Sequence, residues 1–335
     1  MQFCKNLVWV FILLLILSLL NLSVGSVEIP LQEIFHILLT EEEYFSPNQL
    51  IIRDLRLPKT LTAILAGASL SVSGLQMQTL FRNPLAGPYV LGISAGASLG
   101  VALMVMGGGY TTVAGTLLGS WALIGAATVG AVLSLVVMMQ LACRLPAGQN
   151  AALLIAGLMF GSIISAIVNI LEYFASSQEL QRYVIWGMGS LTAVDWLKMK
   201  ALAPFVLVVL AISVLYFKPL DALYLGELQA RAVGVSVDRI RQLLVLLAGA
   251  LAGAVTAFCG PISFVGLAAP HIARLISVTS KHSVLLPLSA MVGACLLLLC
   301  DILCYLPTNG QILPLNAITS LIGAPLVIWL VLKRR

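Results

Sequence analysis

Ten long apolar runs follow one another along this chain, and they limit what it can fold into more than any other feature. A run of about 20 apolar residues is long enough for an α-helix to cross a bilayer. The strands of an outer-membrane barrel would show alternating apolar and polar residues instead. Charged residues make up only 9% of the 335 residues, whereas they make up about 25% of a soluble protein. The sequence therefore predicts an all-α polytopic membrane protein with ten transmembrane helices.

The predicted spans are separated by short polar connections. They cover residues 7–24, 61–80, 88–106, 113–141, 151–174, 197–217, 243–259, 262–276, 284–305 and 313–332. The first could be a signal peptide, but its apolar run is long for one, and we interpret it as an uncleaved transmembrane helix. Two connecting segments, 30–39 and 178–186, are predicted to be helices at the membrane surface. The whole chain, 1–335, is predicted to form a single transmembrane domain.

The distribution of basic residues predicts the orientation. An even number of spans puts both termini on one side of the membrane. Six of the 18 Lys and Arg residues fall on the opposite side, namely Arg53, Arg56, Lys59, Arg182, Lys198 and Lys200. The other twelve fall on the side of the termini, and Lys and Arg are enriched in cytoplasmic loops. We therefore expect both termini in the cytoplasm and the chain in the inner (plasma) membrane.

A weak internal repeat begins in spans two and seven. Residues 65–68 and 247–250 both read LAGA, and a loop with a Gly-Pro pair follows each of them. Because these two spans run in opposite directions, helices 2–5 and 7–10 are predicted to form an inverted repeat. Interrupted helices in matching positions of two such halves indicate the translocation path. The predicted interruptions lie at Pro88, Gly92, Pro261, Gly266 and Pro270.

The longest polar interruption, residues 218–241, is predicted to be a cytoplasmic segment that a partner protein binds. Leu220, Tyr224 and Leu228 recur at helical spacing, and polar residues occupy the positions between them. An amphipathic helix can lay its apolar face into the groove of a partner. The segment therefore suggests a membrane protein that another subunit drives.

Several motifs are absent from the sequence. There is no GxxxxGK[ST] motif and no Gly-Lys pair, so any ATP must be bound by another subunit. There is no HExxH motif and no pair of carboxylates within the apolar runs, which argues against an intramembrane protease or hydrolase. The six cysteines form no CxxC pair, and neither a metal site nor a cofactor is predicted. The formal charge of +5 is not accompanied by a basic face with interleaved aromatic residues, so nucleic-acid binding is not expected.

Few charged residues lie in or beside the spans. Asp301 could be a proton or ion relay, but no second buried acid accompanies it, so a structural role is expected. Arg56 and Lys59 lie just outside span two, on the side where basic residues are scarce. These two could anchor phospholipids, or they could contact an acidic partner or an anionic substrate.

Six motifs, spread in order over nearly the whole chain, carry a resemblance to a known family. They are 56–60 (RLPKT), 76–86 (QMQTLFRNPLA), 91–97 (LGISAGA), 226–234 (GELQARAVG), 260–271 (GPISFVGLAAPH) and 322–325 (IGAP). Together they resemble the FecCD-type permease subunits of ABC importers for iron-siderophores, haem and cobalamin. The resemblance implies a type II ABC importer architecture. The implied partners are a second permease subunit, identical or different, cytoplasmic ATP-binding subunits and an extracytoplasmic substrate-binding protein.

The resemblance also implies roles for individual residues. It places Arg56 and Lys59 where family members dock the binding protein, and Gln149 and Asn150 at the inner gate. The residues expected to couple the chain to the ATPase are Leu225, Gly226, Glu227, Ala230, Arg231 and Gly234.

The chain departs from the family pattern at two positions. Tyr305 stands where the family often has Arg, and Ile312 stands where an acidic residue is usual. One docking contact is therefore expected to be missing or moved.

The sequence thus predicts a transport subunit that is not itself an enzyme. The expected cargo is an iron chelate, a ferric siderophore before haem or cobalamin. The alternative class is an ion-coupled secondary transporter. That class needs paired charges within the membrane, and Asp301 has no such partner in the sequence pattern.

Overall fold

The structure is a computed structural model that describes residues 2–27, 29–39, 46–107, 117–145, 149–277, 279–306 and 312–333. All regular secondary structure within these ranges is helical. The α-helices are α1 (Gln2–Ser23), α2 (Leu31–Leu39), α3 (Pro47–Leu50), α4 (Leu57–Leu80), α5 (Ile93–Met106), α6 (Leu117–Arg144), α7 (Asn150–Phe174), α8 (Ser177–Gly187), α9 (Trp196–Leu215), α10 (Phe217–Leu225), α11 (Glu227–Ala232), α12 (Val237–Cys259), α13 (Val265–Ile276), α14 (His282–Cys304) and α15 (Leu315–Lys333). A π-helical turn, Ile51–Arg56, joins α3 to α4, and a 3-10 turn, Pro88–Leu91, precedes α5.

Seven of the described helical stretches are long and apolar enough to cross a membrane. They are Asn6–Ser23, Pro47–Leu80, Gly119–Arg144, Asn150–Phe174, Trp196–Leu215, Val237–Cys259 and His282–Cys304. Three shorter apolar helices, at Ile93–Met106, Val265–Ile276 and Leu315–Trp329, fall within predicted spans three, eight and ten. The predicted all-α polytopic architecture is confirmed. The start of predicted span four, residues 113–116, lies outside the described residues.

The predicted surface segments are helical as well. The first corresponds to α2, and the second corresponds to α8. The N-terminus of α8 has a capping box, in which Ser176 and Glu179 exchange hydrogen bonds. The hydrogen bonds that the Glu179 carboxylate accepts from Ser176 hold its pKa below the usual value for Glu.

The connections between helices define two ends of the bundle. At one end, here called the α10–α11 end, α10 packs beside the C-terminus of α4, and Asn6 of α1 donates a 2.7 Å hydrogen bond to the Ile276 carbonyl oxygen where α13 ends. At the opposite end, here called the α8 end, Asn316 at the start of α15 donates a 2.9 Å hydrogen bond to the Gly187 carbonyl oxygen. α1 therefore begins at the α10–α11 end, and α15 begins at the α8 end.

Helix packing shows the predicted inverted repeat. In the first half α5 packs against α6 and α7, and in the second half α13 packs correspondingly against α14 and α15. Across the halves, α4 packs against α14, and its counterpart α12 packs against α6. The two leading helices, α4 and α12, also contact each other at the centre. Each half therefore buries the leading helix of the other.

Glycines bring α4 unusually close to the second half of the repeat. A Cβ atom at Gly74 would lie 1.8 Å from the carbonyl oxygen of Gly266 in α13. A Cβ atom at Gly67 would lie 2.3 Å from the carbonyl oxygen of Gly293 in α14. Small residues allow such close backbone approach between helices in lipid. Because the opposing atoms belong to the backbone, a side-chain adjustment cannot relieve the overlap.

Candidate functional sites

The polar segment 218–241 folds into a helical hairpin rather than one continuous helix. α10 ends at Leu225, and α11 starts at Glu227; Gly226 between them has φ +132° and ψ 154°. A second turn follows at Gly234, whose φ is +85°. Both φ values lie in a region that only glycine occupies at little steric cost. These two glycines therefore set the angles at which α11 leaves α10 and enters α12.

The hairpin buries one apolar side and exposes another. Leu220, Leu223 and Ala230 are buried against the rest of the chain. The side chains of Leu225, Leu228 and Val233 are 68%, 81% and 72% exposed. Exposed apolar residues grouped on a polar segment are typical of a protein interaction surface. We call these three residues the exposed hairpin patch.

The structure brings a predicted coupling residue and a predicted gate residue into direct contact. Asn150, the first residue of α7, donates a 2.6 Å hydrogen bond from Nδ2 to Glu227 Oε1 in α11. The same amide nitrogen lies 2.9 Å from the Leu80 carbonyl oxygen, where α4 ends. Gln149 is exposed immediately before α7. The amide group of Asn150 therefore connects α11 to the start of α7 and to the end of α4.

Three charged residues fasten the second turn of the hairpin. Arg231 contacts Asp238 at 3.2 Å, and Asp238 contacts Arg241 at 3.0 Å. Arg241 is buried and also donates a 3.0 Å hydrogen bond to the Leu145 carbonyl oxygen at the end of α6. Arg231 was predicted as a coupling residue, but Asp238 and Arg241 were not. Their spacing of three residues on one helix was the signal that could have identified them.

Arg56, at the α8 end, is buried and bound within the chain. It donates hydrogen bonds of 2.6 and 2.7 Å to the carbonyl oxygens of Leu22 and Ser23, and it also contacts the carbonyl oxygen of Val27. It thereby caps the C-terminus of α1, whose last carbonyl groups lack partners within the helix. Lys59 is buried too and is paired with Asp301. Docking by Arg56 and Lys59 stays a prediction, and any partner must compete with these internal contacts.

The two predicted helix interruptions of the inverted repeat meet each other inside the protein. Tyr89, in the 3-10 turn that starts at Pro88, accepts a 3.3 Å hydrogen bond from the backbone N–H of Ile262, next to Pro261. Gly92 has φ +69° and separates this turn from α5. A Cβ atom at Gly266 would lie 2.6 Å from the Pro88 ring. The loops that precede α5 and α13 therefore contact each other within the protein.

The structure differs from expectation at Gly266 and Pro270, which lie inside α13 and do not interrupt it. The break in this half occurs earlier, before Val265, where Phe264 has φ +64°. Proline removes one backbone donor but does not end every helix. The shortness of α13 therefore comes from the non-helical segment 260–264.

A row of polar residues on α7 was missed by the sequence analysis. Ser162, Ser165 and Asn169 are exposed and lie on one helix face. With Tyr89 and Gly92 they line a cavity of about 400 Å³ between α7 and the 3-10 turn. The i, i+3, i+7 spacing of these residues within an apolar span was the available signal. Such a face suits water or a polar cargo better than lipid.

The residues that the structure describes contain no cluster of three or more His, Cys, Asp or Glu side chains arranged to hold a metal ion.

The described helices form an apolar bundle with an inverted repeat and a helical hairpin at one end. The model of the FecCD transport family matches residues 13–333. The chain therefore belongs to the FecCD transport family, and it is a permease of the ABC importer class. This confirms the predicted family and sets aside the ion-coupled secondary transporter.

Relatives and solved structures agree with this assignment. The vitamin B12 import system permease protein BtuC of Klebsiella pneumoniae is 39% identical over 98% of this chain and 94% of its own length. The BtuC protein of Shigella boydii is 37% identical over 99% of this chain and 97% of its own length. An ABC transporter of metal-chelate type, solved in an inward-facing conformation, has a TM-score of 0.83 at 29% identity and covers 99% of each chain.

A more distant structure shares the fold alone. PsaBC from Streptococcus pneumoniae, solved in complex with Fab, has a TM-score of 0.53 at 18% identity, over 81% of this chain and 89% of the other.

Proposed function

We propose that this chain is the membrane-spanning subunit of a binding-protein-dependent ABC importer in the inner (plasma) membrane, with both termini in the cytoplasm. The observation that carries the proposal is the hairpin at the α10–α11 end. It exposes an apolar patch to a partner, and Glu227 links it directly to Asn150. The excess of Lys and Arg on the side of this hairpin supports a cytoplasmic position.

In this mechanism the energy comes from ATP-binding subunits that contact the hairpin. The exposed hairpin patch of Leu225, Leu228 and Val233 supplies the apolar contact. Gly226 and Gly234 set the two turns of the hairpin, and Ala230 and Arg231 hold it against the bundle. When the partner moves α11, the Glu227–Asn150 hydrogen bond moves the start of α7 with it. Gln149 and Asn150 thereby open or close the inner gate.

The polar face of α7 is proposed as a wall of the translocation path. Ser162, Ser165 and Asn169 offer hydroxyl and amide groups to the cavity beside Gly92. The polar face is exposed in the single chain, and polar groups against lipid are costly, so the proposal requires a second permease subunit to enclose it. This requirement holds whether the second subunit is identical or different. The adjoining breaks at Pro88 and Pro261 place non-helical backbone next to this path.

At the opposite side of the membrane, the α8 end is proposed to receive the substrate-binding protein. Arg56 and Lys59 are the docking residues that the family resemblance indicates. Tyr305 stands at a position where the family often has Arg, so this face has one basic group fewer.

We propose a bulky metal chelate as the cargo, and the relatives named for vitamin B12 import favour a corrinoid. The expected ferric siderophore is the second candidate, because the FecCD family model covers the chain without separating the two. The test is uptake of labelled cyanocobalamin and of labelled ferric siderophores by cells that carry or lack this gene. Loss of corrinoid uptake alone supports the first cargo, and loss of siderophore uptake alone supports the second. Unchanged uptake of both contradicts the proposal.

A further inference from the structure

We propose that Asp221, His282 and Thr79 form a polar bridge that carries the movement of α10 into α4 and α14, as a second transmission route beside the Glu227–Asn150 contact. The proposal rests on the proposed function, because it assumes that a partner moves the hairpin. Thr79 lies in the motif 76–86 and Asp221 in the segment 218–241, but neither the family resemblance nor the comparisons give an individual role to these residues or to His282.

The bridge consists of short contacts between three helices. The Asp221 Oδ1 atom in α10 lies 2.8 Å from Nδ1 of the His282 ring and accepts a 2.7 Å hydrogen bond from the His282 backbone N–H. The other ring nitrogen, Nε2, lies 2.9 Å from the Thr79 hydroxyl in α4. One carboxylate oxygen therefore holds the first residue of α14 by two bonds. The imidazole ring then extends the connection to α4.

Two of the three members of the bridge are buried, whereas the Asp221 side chain is 35% exposed. The His282 residue is 1% exposed and Thr79 is 3% exposed. Buried polar atoms that lose their partners are destabilising by about 1–3 kcal/mol each. A shift of α10 that keeps these hydrogen bonds therefore costs less free energy than one that breaks them, so the three residues are expected to move together. The ring of Tyr224 packs edge-on against His282 at a centroid distance of 6.1 Å and adds a second contact between α10 and α14.

The buried apolar contacts of α10 do not have this directionality. Leu220 and Leu223 pack their side chains into the bundle, and apolar contacts of this kind permit sliding because they are non-directional. A polar cavity of about 340 Å³, lined by Thr79, Arg82 and Tyr224 among others, lies beside the bridge. In the proposal, the bridge rather than these apolar contacts determines which helices move with α10. Thr79 and His282 act as positioning residues in this role.

The test compares the nucleotide response of the whole assembly in wild type and variants. The permease is purified in complex with its ATP-binding subunits, and amide hydrogen exchange is measured without nucleotide and with a slowly hydrolysed ATP analogue. In the wild type we expect nucleotide to change exchange in α10, at the C-terminus of α4 and at the start of α14. In Asp221→Ala and Thr79→Val, the change should persist in α10 and be lost from α4 and α14.

Two further variants separate transmission from structural damage. Thr79→Ser keeps the hydroxyl group and should restore the response. Ser71→Ala removes another α4–α14 contact, the 2.7 Å bond from Ser71 to the Ser289 carbonyl oxygen, which does not involve α10, and its response should match the wild type. If Asp221→Ala does not fold, Thr79→Val tests the same link from the other side.

The possible outcomes distinguish the bridge from the proposed function. A full response of α4 and α14 in both Asp221→Ala and Thr79→Val, with normal assembly, would overturn the bridge and leave the proposed function intact. A wild-type chain that binds no ATP-binding subunit would contradict the proposed function itself. Loss of the response in Ser71→Ala to the same extent would also count against the bridge, because any weakened α4–α14 contact would then suffice.

Discussion

Lys59 and Asp301 form a buried ion pair, with 2.8 Å between Lys59 Nζ and Asp301 Oδ2. Their side chains are only 4% and 8% exposed. Asn21 of α1 donates a 2.6 Å hydrogen bond to the same carboxylate oxygen, and the Tyr305 ring centroid lies 4.3 Å from Lys59 Nζ. The pair therefore ties α1, α4 and α14 together at the α8 end. Asp301 thus has a partner of opposite charge within the fold. This agrees with the structural role that was expected for Asp301 because no second buried acid accompanies it.

The first prediction concerns this ion pair. Lys59→Met leaves the Asp301 carboxylate buried without its partner, and breaking a buried pair in this way costs about 3–5 kcal/mol of stability. The double variant Lys59→Met with Asp301→Leu removes both charges and should recover most of the loss, because no buried charge remains. The measurement is thermal unfolding in detergent. Equal losses in the single and double variants would show that the pairing itself does not matter.

The second prediction concerns the crossing of α4 and α13. Gly74→Ala places a methyl group against the Gly266 carbonyl oxygen, and overpacking of this kind costs about 1–3 kcal/mol. Gly125→Ala is the matched control, because a Cβ atom at Gly125 meets no other atom within 4 Å. Thermal unfolding should show a lower melting temperature for Gly74→Ala only. A similar decrease in both variants would mean that the crossing is not the cause.

The third prediction concerns the link between hairpin and gate. Asn150→Asp puts a second carboxylate opposite Glu227, so the two groups repel instead of bonding. Import should fall strongly while the ATP-binding subunits still co-purify and hydrolyse ATP. Glu227→Gln keeps an acceptor oxygen and should retain most of the transport. The ratio of substrate imported to ATP hydrolysed in proteoliposomes measures the effect, and an unchanged ratio in Asn150→Asp would rule out this link.

The fourth prediction concerns the second turn of the hairpin. Gly234→Trp introduces a large side chain at the predicted ATPase contact, and we expect transport to fail and the ATPase stimulation by the binding protein to drop. Because Gly234 has φ +85°, any other residue is strained there. Gly234→Asn is the control for strain, since Asn tolerates positive φ better than most residues. Equal impairment of both variants would assign the defect to the backbone rather than to the contact.

The fifth prediction concerns docking at the α8 end. Reversal of Arg56 and Lys59 to Glu should weaken binding of the substrate-binding protein, and the loss should shrink at high salt if the charges act across an exposed interface. Thermal unfolding of the same variant is needed, because both side chains support the fold. A loss of affinity that is independent of salt would show that these residues act through the fold alone.

The sequence alone determined the parts of the fold that depend on local composition. The apolar runs specify which residues enter the membrane. They also specify that these residues form helices, because each backbone polar group in lipid must bond within its own helix. The polar composition of residues 218–241 and the family motif within them predicted a coupling segment; the structure folds it into α10 and α11, and its coupling role stays a prediction. The matching Gly-Pro pairs after spans two and seven indicated the repeat that the packing of α4, α12, α6 and α14 then showed.

Only the tertiary structure decided which polar groups meet. Lys59 and Asp301 lie in different halves of the chain, and so do Thr79 and His282, and no periodicity connects members of such pairs. The sequence placed Arg56 and Lys59 at the outer surface by their position beside a span, but the packing of α1 and α14 buries both. Whether a residue is buried depends on which helices pack around it. That packing is set by contacts between distant parts of the chain, such as the glycine crossings of α4 and the long-range hydrogen bonds.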